Sequence, residues 1–137
     1  MTDALAATKA AVAHGYVAGG GVALLYASQV LDNLKLGNID EQVGVRIVRD
    51  AIRIPCATIA NNSGLNGEVL VAQLLDRANG NPFSTFGWNA SSSAFVDMIN
   101  AGIIDPFAVV QSTLEGACSV SSMLLTSEVS ITKDKQI

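Results

Sequence analysis

Three consecutive glycines, Gly19 to Gly21, stand directly before an apolar helical pattern that starts at Val22. Because glycine has no Cβ, backbone N–H groups in such a run can approach a ligand closely, and the N-terminus of a helix attracts negative charge. A phosphate or a sugar would suit these donors. The run lacks the lysine of a P-loop and the spacing of a dinucleotide fingerprint, so on spacing alone a flexible turn between two helices is the simpler interpretation.

Two carboxylates stand where helices are predicted to begin. Asp105 precedes Pro106, a pattern typical of an N-cap followed by proline at the first helical position. Asp3, taken alone, also fits a helix cap. His14, Cys56 and Cys118 have no ligand-type neighbours in the sequence, so no metal or redox site is predicted, and both cysteines are expected to be buried thiols.

The elements that must position these residues are predicted to be mainly helical. Helices are predicted over 3–14, over 95–101 and from Asp105-Pro106 to about Leu125. Another is predicted along the apolar stripe Leu24, Ala27, Leu31 and Leu34 and ends at Gly37, and the next begins at Asp40, follows the stripe Val43, Ile47, Val48, Ala51 and Ile52, and ends at Pro55. A short helical turn to Asn61 and a helix along Val69, Leu70, Gln73 and Leu74 come after it. A short strand is predicted near 84–88. Alternating polar and apolar residues predict another near 127–132.

The composition limits the kinds of partner. A net charge of −4 with scattered cations argues against nucleic acid. No apolar run approaches the roughly 18 residues of a membrane span. Half of the residues are apolar, 15% are charged, and the mean hydropathy is +0.39. This excess indicates a surface meant for a partner, or alternatively a well-filled helical core.

The sequence motifs on both sides of the glycines support a more specific interpretation. In collinear order along nearly the whole chain, these motifs resemble those of the group I chaperonins, the GroEL-type ATP-driven folding machines. The matching segments are Asp3–Leu5, Thr8–Val12, Gly15, Val17–Leu24, Gln42–Val45, Asp50–Pro55, Thr58–Ala60, Gly64, Gly87–Ala90, Val96–Ile99, Gly102–Pro106, Val109–Val110 and Thr126–Val129.

The resemblance implies a particular part of such a subunit. Residues 1–18 correspond to the C-terminal end of the intermediate, or hinge, domain, and residues 19–137 to the C-terminal half of the equatorial ATP-binding domain. The family's Gly-Asp-Gly-Thr phosphate loop, its metal-binding aspartate and its apical domain have no counterpart in this sequence. The predicted fold is therefore a helical bundle, half of an equatorial domain, whose C-terminal strand pairs outside this segment.

The resemblance also implies roles for single residues in binding ATP and Mg²⁺. Asp3 falls where the family orients the water that attacks the γ-phosphate. Gly19, Gly20 and Gly21 match the glycine loop on the ribose and phosphate side. Asn89, Ala90 and Ser91 match the segment along the adenine, and Asp105 matches the carboxylate that accepts hydrogen bonds from the ribose, a role that it could combine with capping. No residue of this chain is predicted to bind the metal itself.

Two functions follow. In the first, the chain is the nucleotide-binding and ring-forming part of an ATP-dependent chaperonin subunit, with other chaperonin subunits as partners, and unfolded proteins and a co-chaperonin engaged only through the missing domains. In the second, it is a non-enzymatic fragment that acts as an interaction module. Because half of the site is missing, the isolated chain is predicted to bind ATP weakly or not at all and to hydrolyse none. The family motifs place such a protein in the mitochondrial matrix or the bacterial cytoplasm.

Overall fold

Helices account for most of the chain, as the sequence predicts. In the computed structural model, residues 2–132 are described, with the backbone alone for residues 2 and 3. The elements follow the order α1 Thr2–His14, β1 Tyr16–Ala18, α2 Val22–Asp32, α3 Ile39–Ala51, α4 Ile54–Asn62, α5 Gly67–Ala78, β2 Phe86–Asn89, β3 Ala94–Asp97, β4 Ile104–Pro106 and α6 Phe107–Thr126. Contacts group residues 1–15 with 106–137 in one unit and Tyr16–Asp105 in another. The assignment to hinge and equatorial domains stays a prediction.

Local signals set most helix ends. Gly15 follows α1 with φ +84° and donates its N–H to the carbonyl of Ala11 at 2.9 Å. Asn38 is the N-cap of α3, where its side chain accepts the N–H of Asp40 at 3.0 Å. Pro55 does separate two helices, but it lies in the first turn of α4, where the missing N–H has no helical partner to lose.

The core lies in the unit Tyr16–Asp105, where α2, α4 and α5 pack together beside the β2–β3 hairpin. Its buried side chains include Val22, Leu25, Tyr26, Cys56, Ala60, Leu70, Leu74 and Met98. The Tyr26 hydroxyl donates a hydrogen bond to the carbonyl of Phe86 at 2.6 Å. This bond ties α2 to the hairpin.

The predicted face of α2 is wrong. The helix buries Val22, Leu25 and Tyr26 instead of the stripe that begins at Leu24, and it ends at Asp32, before Leu34. Apolar residues occur on both sides of this helix, so their period alone does not select the side that meets α5. The stripe predicted on α3 is also mostly wrong as a core face, because no residue within that helix is buried and, of the stripe, only Ile52 at its C-cap is.

Ion pairs and a buried hydroxyl hold α3 against α2. The carboxylate of Asp32 lies 2.8 Å from Arg49 and 3.4 Å from Arg53. Arg53 also donates from Nε to Oγ of the fully buried Ser28 at 2.8 Å. The last turn of α2 is thereby fixed to the junction of α3 and α4.

The predicted helix over 95–101 is wrong, because Ala94–Asp97 forms strand β3. It pairs antiparallel with β2, and Trp88 lies opposite Phe95. The rings of Phe86 and Phe95 stack at 5.8 Å between centroids, and the Arg77 guanidinium lies 4.2 Å from the Phe95 centroid. The strand predicted near 84–88 is confirmed with a shift to 86–89. Cross-strand aromatic contacts stabilise the hairpin in preference to a helix.

The predicted C-terminal strand is also wrong within the described residues. After α6, residues 127–132 pair with no other segment, and Val129 and Ile131 are exposed. Ser127 donates its N–H to the carbonyl of Leu124 at 3.3 Å and closes the helix. A strand needs a neighbour for its backbone hydrogen bonds, and none is present beside this segment. On α6 itself Cys118 is exposed, against the expectation of a buried thiol.

Candidate functional site

The glycine segment forms the turn between β1 and α2. Gly20 and Gly21 have φ values of +67° and +74°, and Gly21 is the N-cap of α2. This left-handed backbone is readily adopted only by glycine. The prediction that a helix follows the glycines directly is confirmed, since α2 begins at Val22.

The glycines also let the chain pack against itself. Gly19 donates its N–H to the carbonyl of Ile103 at 2.9 Å, and a Cβ on Gly19 would lie 3.1 Å from that oxygen. A Cβ on Gly21 would lie 2.7 Å from the backbone nitrogen of Cys56, in the first turn of α4. Close internal packing therefore requires glycine here whether or not a ligand binds.

Two donors remain at this turn. Within the described part of the chain, the N–H groups of Gly20 and Gly21 meet no hydrogen-bond acceptor. Both residues are partly accessible and stand at the N-terminus of an eleven-residue helix. Such an end favours an anionic or hydroxyl oxygen.

Met98 joins the glycine turn to the hairpin. A Cβ on Gly20 would lie 2.8 Å from Met98 Cε, and a Cβ on Gly87 would lie 2.6 Å from Met98 Cγ and 2.7 Å from Val22 Cγ2. Met98 is almost fully buried. The sequence did not predict this contact. Met98 lies in the turn after β3, whereas the sequence predicts a helix over 95–101.

Asn89, Ala90 and Ser91 lie at the tip of the hairpin, at the end of β2. Oδ1 of Asn89 accepts the N–H of Ser91 at 2.9 Å, so this oxygen shapes the turn. Residues two apart on a strand share a face, which puts the Asn89 side chain on the face where Gly87 meets Val22 and Met98. The amide N–H₂ of Asn89 is the part of the side chain that remains for a ligand.

Asp105 lies in β4, next to β1, and is half-buried. The prediction that it caps α6 is wrong. The N-cap is Pro106 and makes no side-chain capping bond, because pairing with β1 keeps Asp105 extended and delays the helix to Phe107. The Asp105 carboxylate is thus not used in capping. Asp105 follows Ile103 by two residues, and the carbonyl of Ile103 accepts the hydrogen bond from the N–H of Gly19.

Asp3 lies in the other unit, on α1. Its side chain is outside the described residues, so its predicted role stays a prediction. The remaining candidates, Gly19 to Gly21, Asn89 to Ser91 and Asp105, all belong to the unit Tyr16–Asp105. Gly19 to Gly21 form the turn before α2, Asn89 to Ser91 lie at the tip of the β2–β3 hairpin, and Asp105 lies on β4.

These residues differ in the groups that they could bind. The backbone N–H donors at the N-terminus of α2 suit phosphate or hydroxyl oxygens, and the side-chain amide of Asn89 and the unused carboxylate of Asp105 suit a base and a sugar. In the described residues, no group of three His, Cys, Asp or Glu side chains is placed to hold a metal ion.

A cavity of about 370 Å³ lies at the opposite end of α2. Its walls are Gln29, Val30, Asp32, Asn33, Gly80 and Pro82, none of which is a sequence-predicted site residue. The buried Nε2 of Gln29 has no hydrogen-bond partner among the described atoms.

Within residues 2–132, no helix is both long and apolar enough to cross a membrane.

Comparison with known proteins gives one consistent answer. The TCP-1/cpn60 chaperonin family matches residues 1–135. The chain is 49% identical over 128 residues to "Chaperonin CPN60-2, mitochondrial" of Zea mays, covering 93% of this chain and 22% of that protein. It is 49% identical over 133 residues to "Chaperonin CPN60-like 1, mitochondrial" of Arabidopsis thaliana, with 97% and 22% covered.

A solved structure agrees with these sequence matches. The crystal structure of a group III chaperonin in the open state matches with a TM-score of 0.76 and 27% identity, over 89% of this chain and 25% of that one. The chain spans about 22% of the length of the curated relatives it matches.

Proposed function

Because this chain belongs to the TCP-1/cpn60 chaperonin family, we propose that it is the C-terminal part of an ATP-dependent chaperonin subunit that assists protein folding. In this proposal residues 1–18 end the hinge domain, and residues 19–137 form half of the equatorial domain. The part described here contributes to nucleotide binding and to assembly with other chaperonin subunits. Unfolded proteins and a co-chaperonin would be engaged by other parts of the subunit.

The proposal is supported above all by the packing around Met98. That one side chain touches both the glycine turn at Gly20 and the hairpin at Gly87. The same turn is hydrogen-bonded to Ile103, two residues before Asp105. Three segments that are far apart in the sequence thus come together, and this supports assigning them to one nucleotide site.

Each residue has a proposed role. The N–H groups of Gly20 and Gly21 donate to oxygens on the ribose and phosphate side. The Asn89 amide, with the small residues Ala90 and Ser91, lies along the adenine. Asp105 accepts hydrogen bonds from the ribose hydroxyls. In the assembled subunit Asp3 orients the attacking water, and Mg²⁺ is held by residues outside this chain.

The half-site has a specific signature in the isolated chain. ADP and ATP should bind weakly, and adenosine more weakly still, because the N–H groups of Gly20 and Gly21 at the N-terminus of α2 add contacts on the phosphate side. Mg²⁺ should change none of the affinities. Trp88, the single tryptophan of the chain, directly precedes Asn89 and can report binding through its fluorescence.

Substitutions at Asn89 separate its two roles. Asn89→Asp keeps an oxygen that can accept the N–H of Ser91, but it removes the amide donor. Asn89→Asp should weaken adenosine binding while leaving the urea unfolding midpoint nearly unchanged. Asn89→Ala should weaken adenosine binding and also lower the urea unfolding midpoint.

Asp105→Ala should weaken the binding of adenosine and leave the binding of 2′,3′-dideoxyadenosine unchanged, because only adenosine has the ribose hydroxyls. Asp76→Ala, on the exposed side of α5, is the charge-matched control. Equal binding by all variants would contradict the assigned site.

The function is tested in a whole subunit. A mitochondrial chaperonin whose matching C-terminal part is replaced by this chain should form rings, hydrolyse ATP and refold a denatured substrate. Asp3→Ala in that subunit should reduce ATP hydrolysis by about 10²- to 10⁴-fold, the usual contribution of a general base, with ring formation unchanged. Rings without any ATP hydrolysis in the unmutated chimera would overturn the proposal.

We also propose the mitochondrial matrix as the location. The relatives at 49% identity are named as mitochondrial proteins, and this favours the matrix over the bacterial cytoplasm. Fractionation of source cells, with detection by an antibody against this chain, would test the location directly.

A further inference from the structure

Hydrogen bonds hold the β2–β3 hairpin at its open end, where β2 begins and β3 ends. The Tyr26 hydroxyl donates to the carbonyl of Phe86 at 2.6 Å, which ties this end to α2. Oγ1 of Thr85 donates to Oδ2 of Asp97 at 2.5 Å, which closes the two strands against each other. The open end is therefore fixed by polar contacts.

The tip half of the hairpin, residues 88–95, lacks such anchors. Among the described residues, its hydrogen bonds stay within the hairpin, such as the bond from the N–H of Ser91 to Oδ1 of Asn89 at 2.9 Å. In this part of the chain the sheet has two strands of four residues each. A two-stranded hairpin is only marginally stable by itself, so side-chain packing must hold the tip half in place.

Phe95 supplies this packing. It lies opposite Trp88 in the strand register, and the two rings meet edge to face at 5.1 Å between centroids. The Phe95 ring also stacks on Phe86 at 5.8 Å between centroids. Aromatic pairs at these separations stabilise beyond the area that they bury. One side chain on β3 thus holds two residues of β2.

Arg77 connects Phe95 to α5. It lies in the last turn of that helix, and among the described residues no carboxylate forms an ion pair with it. Its guanidinium carbon is 4.2 Å from the Phe95 centroid and 5.5 Å from the Phe86 centroid. A planar guanidinium can stack on an aromatic face in a way that an ammonium group cannot. The tip half is thereby attached to a helix outside the hairpin.

The Phe95 ring lies on the side of the hairpin opposite the candidate nucleotide site. Phe95 pairs with Trp88, whereas Asn89 pairs with Ala94, one position further along. Successive residues of a strand point to opposite faces, so the rings lie on one face and the Asn89 side chain on the other. Phe95 can therefore affect a ligand only by holding β2, and Asn89 with it, in place.

We propose that Phe95 is a positioning residue for the nucleotide site. With Arg77 stacked on its ring, it holds the tip half of the hairpin where the Asn89 amide meets the adenine. This inference rests on the proposed function, to which the role of Asn89 belongs. The open end keeps its anchors without Phe95, so loss of the ring loosens the tip half and leaves the core folded.

Hydrogen exchange of the ligand-free chain, followed by NMR, tests whether Phe95 holds the tip half. Phe95→Leu keeps the apolar bulk but removes the ring. Protected amides of residues 88–95 should exchange about tenfold faster relative to the Met98 amide, which donates to Thr85 at the open end. Phe83→Leu is the matched control, because Phe83 is 88% exposed, and it should leave this ratio unchanged.

Two further substitutions identify the contacts. Phe95→Tyr keeps the ring and should exchange like the wild-type chain. Arg77→Met keeps an unbranched side chain but removes the cation, and it should accelerate exchange in the tip half about two- to fivefold. Arg46→Met, at an exposed position of α3, makes the same change without an aromatic partner and should have no effect there.

Adenosine binding, measured by NMR titration, separates positioning from general stability. Phe95→Leu should weaken adenosine about two- to tenfold, up to the loss of one hydrogen bond. Because Phe95 acts through Asn89, the double variant with Asn89→Asp should bind adenosine no more weakly than Asn89→Asp alone. Inorganic pyrophosphate, the probe for the N–H groups of Gly20 and Gly21, should bind the wild-type and Phe95→Leu chains equally. Phe95→Tyr should restore adenosine binding.

The outcomes distinguish this inference from the proposed function. Additive losses in the double variant, equal weakening of adenosine and pyrophosphate, or the same exchange in Phe95→Leu and Phe83→Leu would each overturn the positioning role and leave the assigned site standing. A wild-type chain that binds neither ligand would overturn the nucleotide site itself, and the positioning role with it.

Discussion

At the residue scale, the glycine turn has two requirements that coincide. The backbone at Gly20 and Gly21 has positive φ, and the Cβ positions of Gly19 and Gly21 are filled by the backbone of the 103–104 segment and of α4. The same geometry leaves the N–H groups of Gly20 and Gly21 accessible. Folding and ligand binding therefore depend on the same atoms, and substitutions here must be interpreted with stability measured beside affinity.

Gly21→Ala should destabilise the chain by about 2 kcal/mol or more, since it adds strain at positive φ to a contact with the backbone of Cys56. Gly44→Ala is the matched control, because Gly44 lies within α3 with nothing within 4 Å of an added Cβ. It should stabilise the chain by about 0.5–1 kcal/mol. Urea unfolding followed by circular dichroism measures both changes, and an equal effect of the two substitutions would contradict the close packing of Gly21.

Cys56 gives the stability a defined alkaline pH dependence. Burial raises the pKa of its thiol from 9.0 to about 11. The unfolded chain therefore loses this proton first, and the free energy of unfolding should fall between pH 9 and pH 11 by about 2 kcal/mol. Cys56→Ala should remove the part of this fall that comes from the thiol and leave the loss at higher pH from Tyr26, whose pKa burial also raises. Denaturant titrations across this pH range would show the difference, and a flat wild-type profile would contradict it.

At the element scale, pairing decides which short segments become regular. The 94–97 segment has a partner in β2, with aromatic rings stacked across the pair, and becomes a strand. The 127–132 segment alternates polar and apolar residues, but it has no partner among the described residues. Alternation thus indicates the capacity to form a strand, and a neighbouring strand supplies the hydrogen bonds that realise it.

Removal of residues 127–137 should therefore change the stability little. We expect a chain that ends at Thr126 to keep its urea midpoint, with a change below about 0.5 kcal/mol, because the side chains described beyond α6 are exposed. A matched truncation after Asn89 would remove β3 and should unfold the core. A large loss of stability in the shorter truncation would mean that the C-terminal residues pair after all.

At the scale of the whole molecule, burial is uneven. Every residue of the core cluster lies between Ala18 and Met98. In α1 and α6, by contrast, none of the residues with described side chains is fully buried. The two parts of the chain should accordingly differ in their local stability.

Hydrogen exchange should reveal this difference directly. Amides of α2 and α5 that adjoin Leu25, Tyr26 and Leu74 should exchange only through global unfolding. Amides of α6 beyond Glu115 should exchange through local opening, at a lower free energy, when measured at concentrations where the chain is monomeric. Mass spectrometry of peptic fragments resolves these segments, and equal protection in α5 and the second half of α6 would contradict the uneven burial.

The family, the mainly helical class and the ends of several helices could be predicted from the sequence alone. Collinear motifs from Asp3 to Val129 indicated a chaperonin, and Gly15 marks the end of α1 because its positive φ is a local preference of glycine. The sequence also supplied the chemistry of the candidate site, since the glycines, Asn89 and Asp105 are recognised by type and motif. Signals of this kind act within a few residues along the chain.

The folded structure shows which side of α2 is buried, that 94–97 is a strand, and that Asp105 is extended instead of capping α6. It also revealed Met98 as the contact between the glycine turn and the hairpin. Each of these depends on residues far apart in the sequence, such as Val22 with Gly87 or Gly19 with Ile103. Their contacts contribute free energy only after the segments have met, so no local pattern in the sequence encodes them.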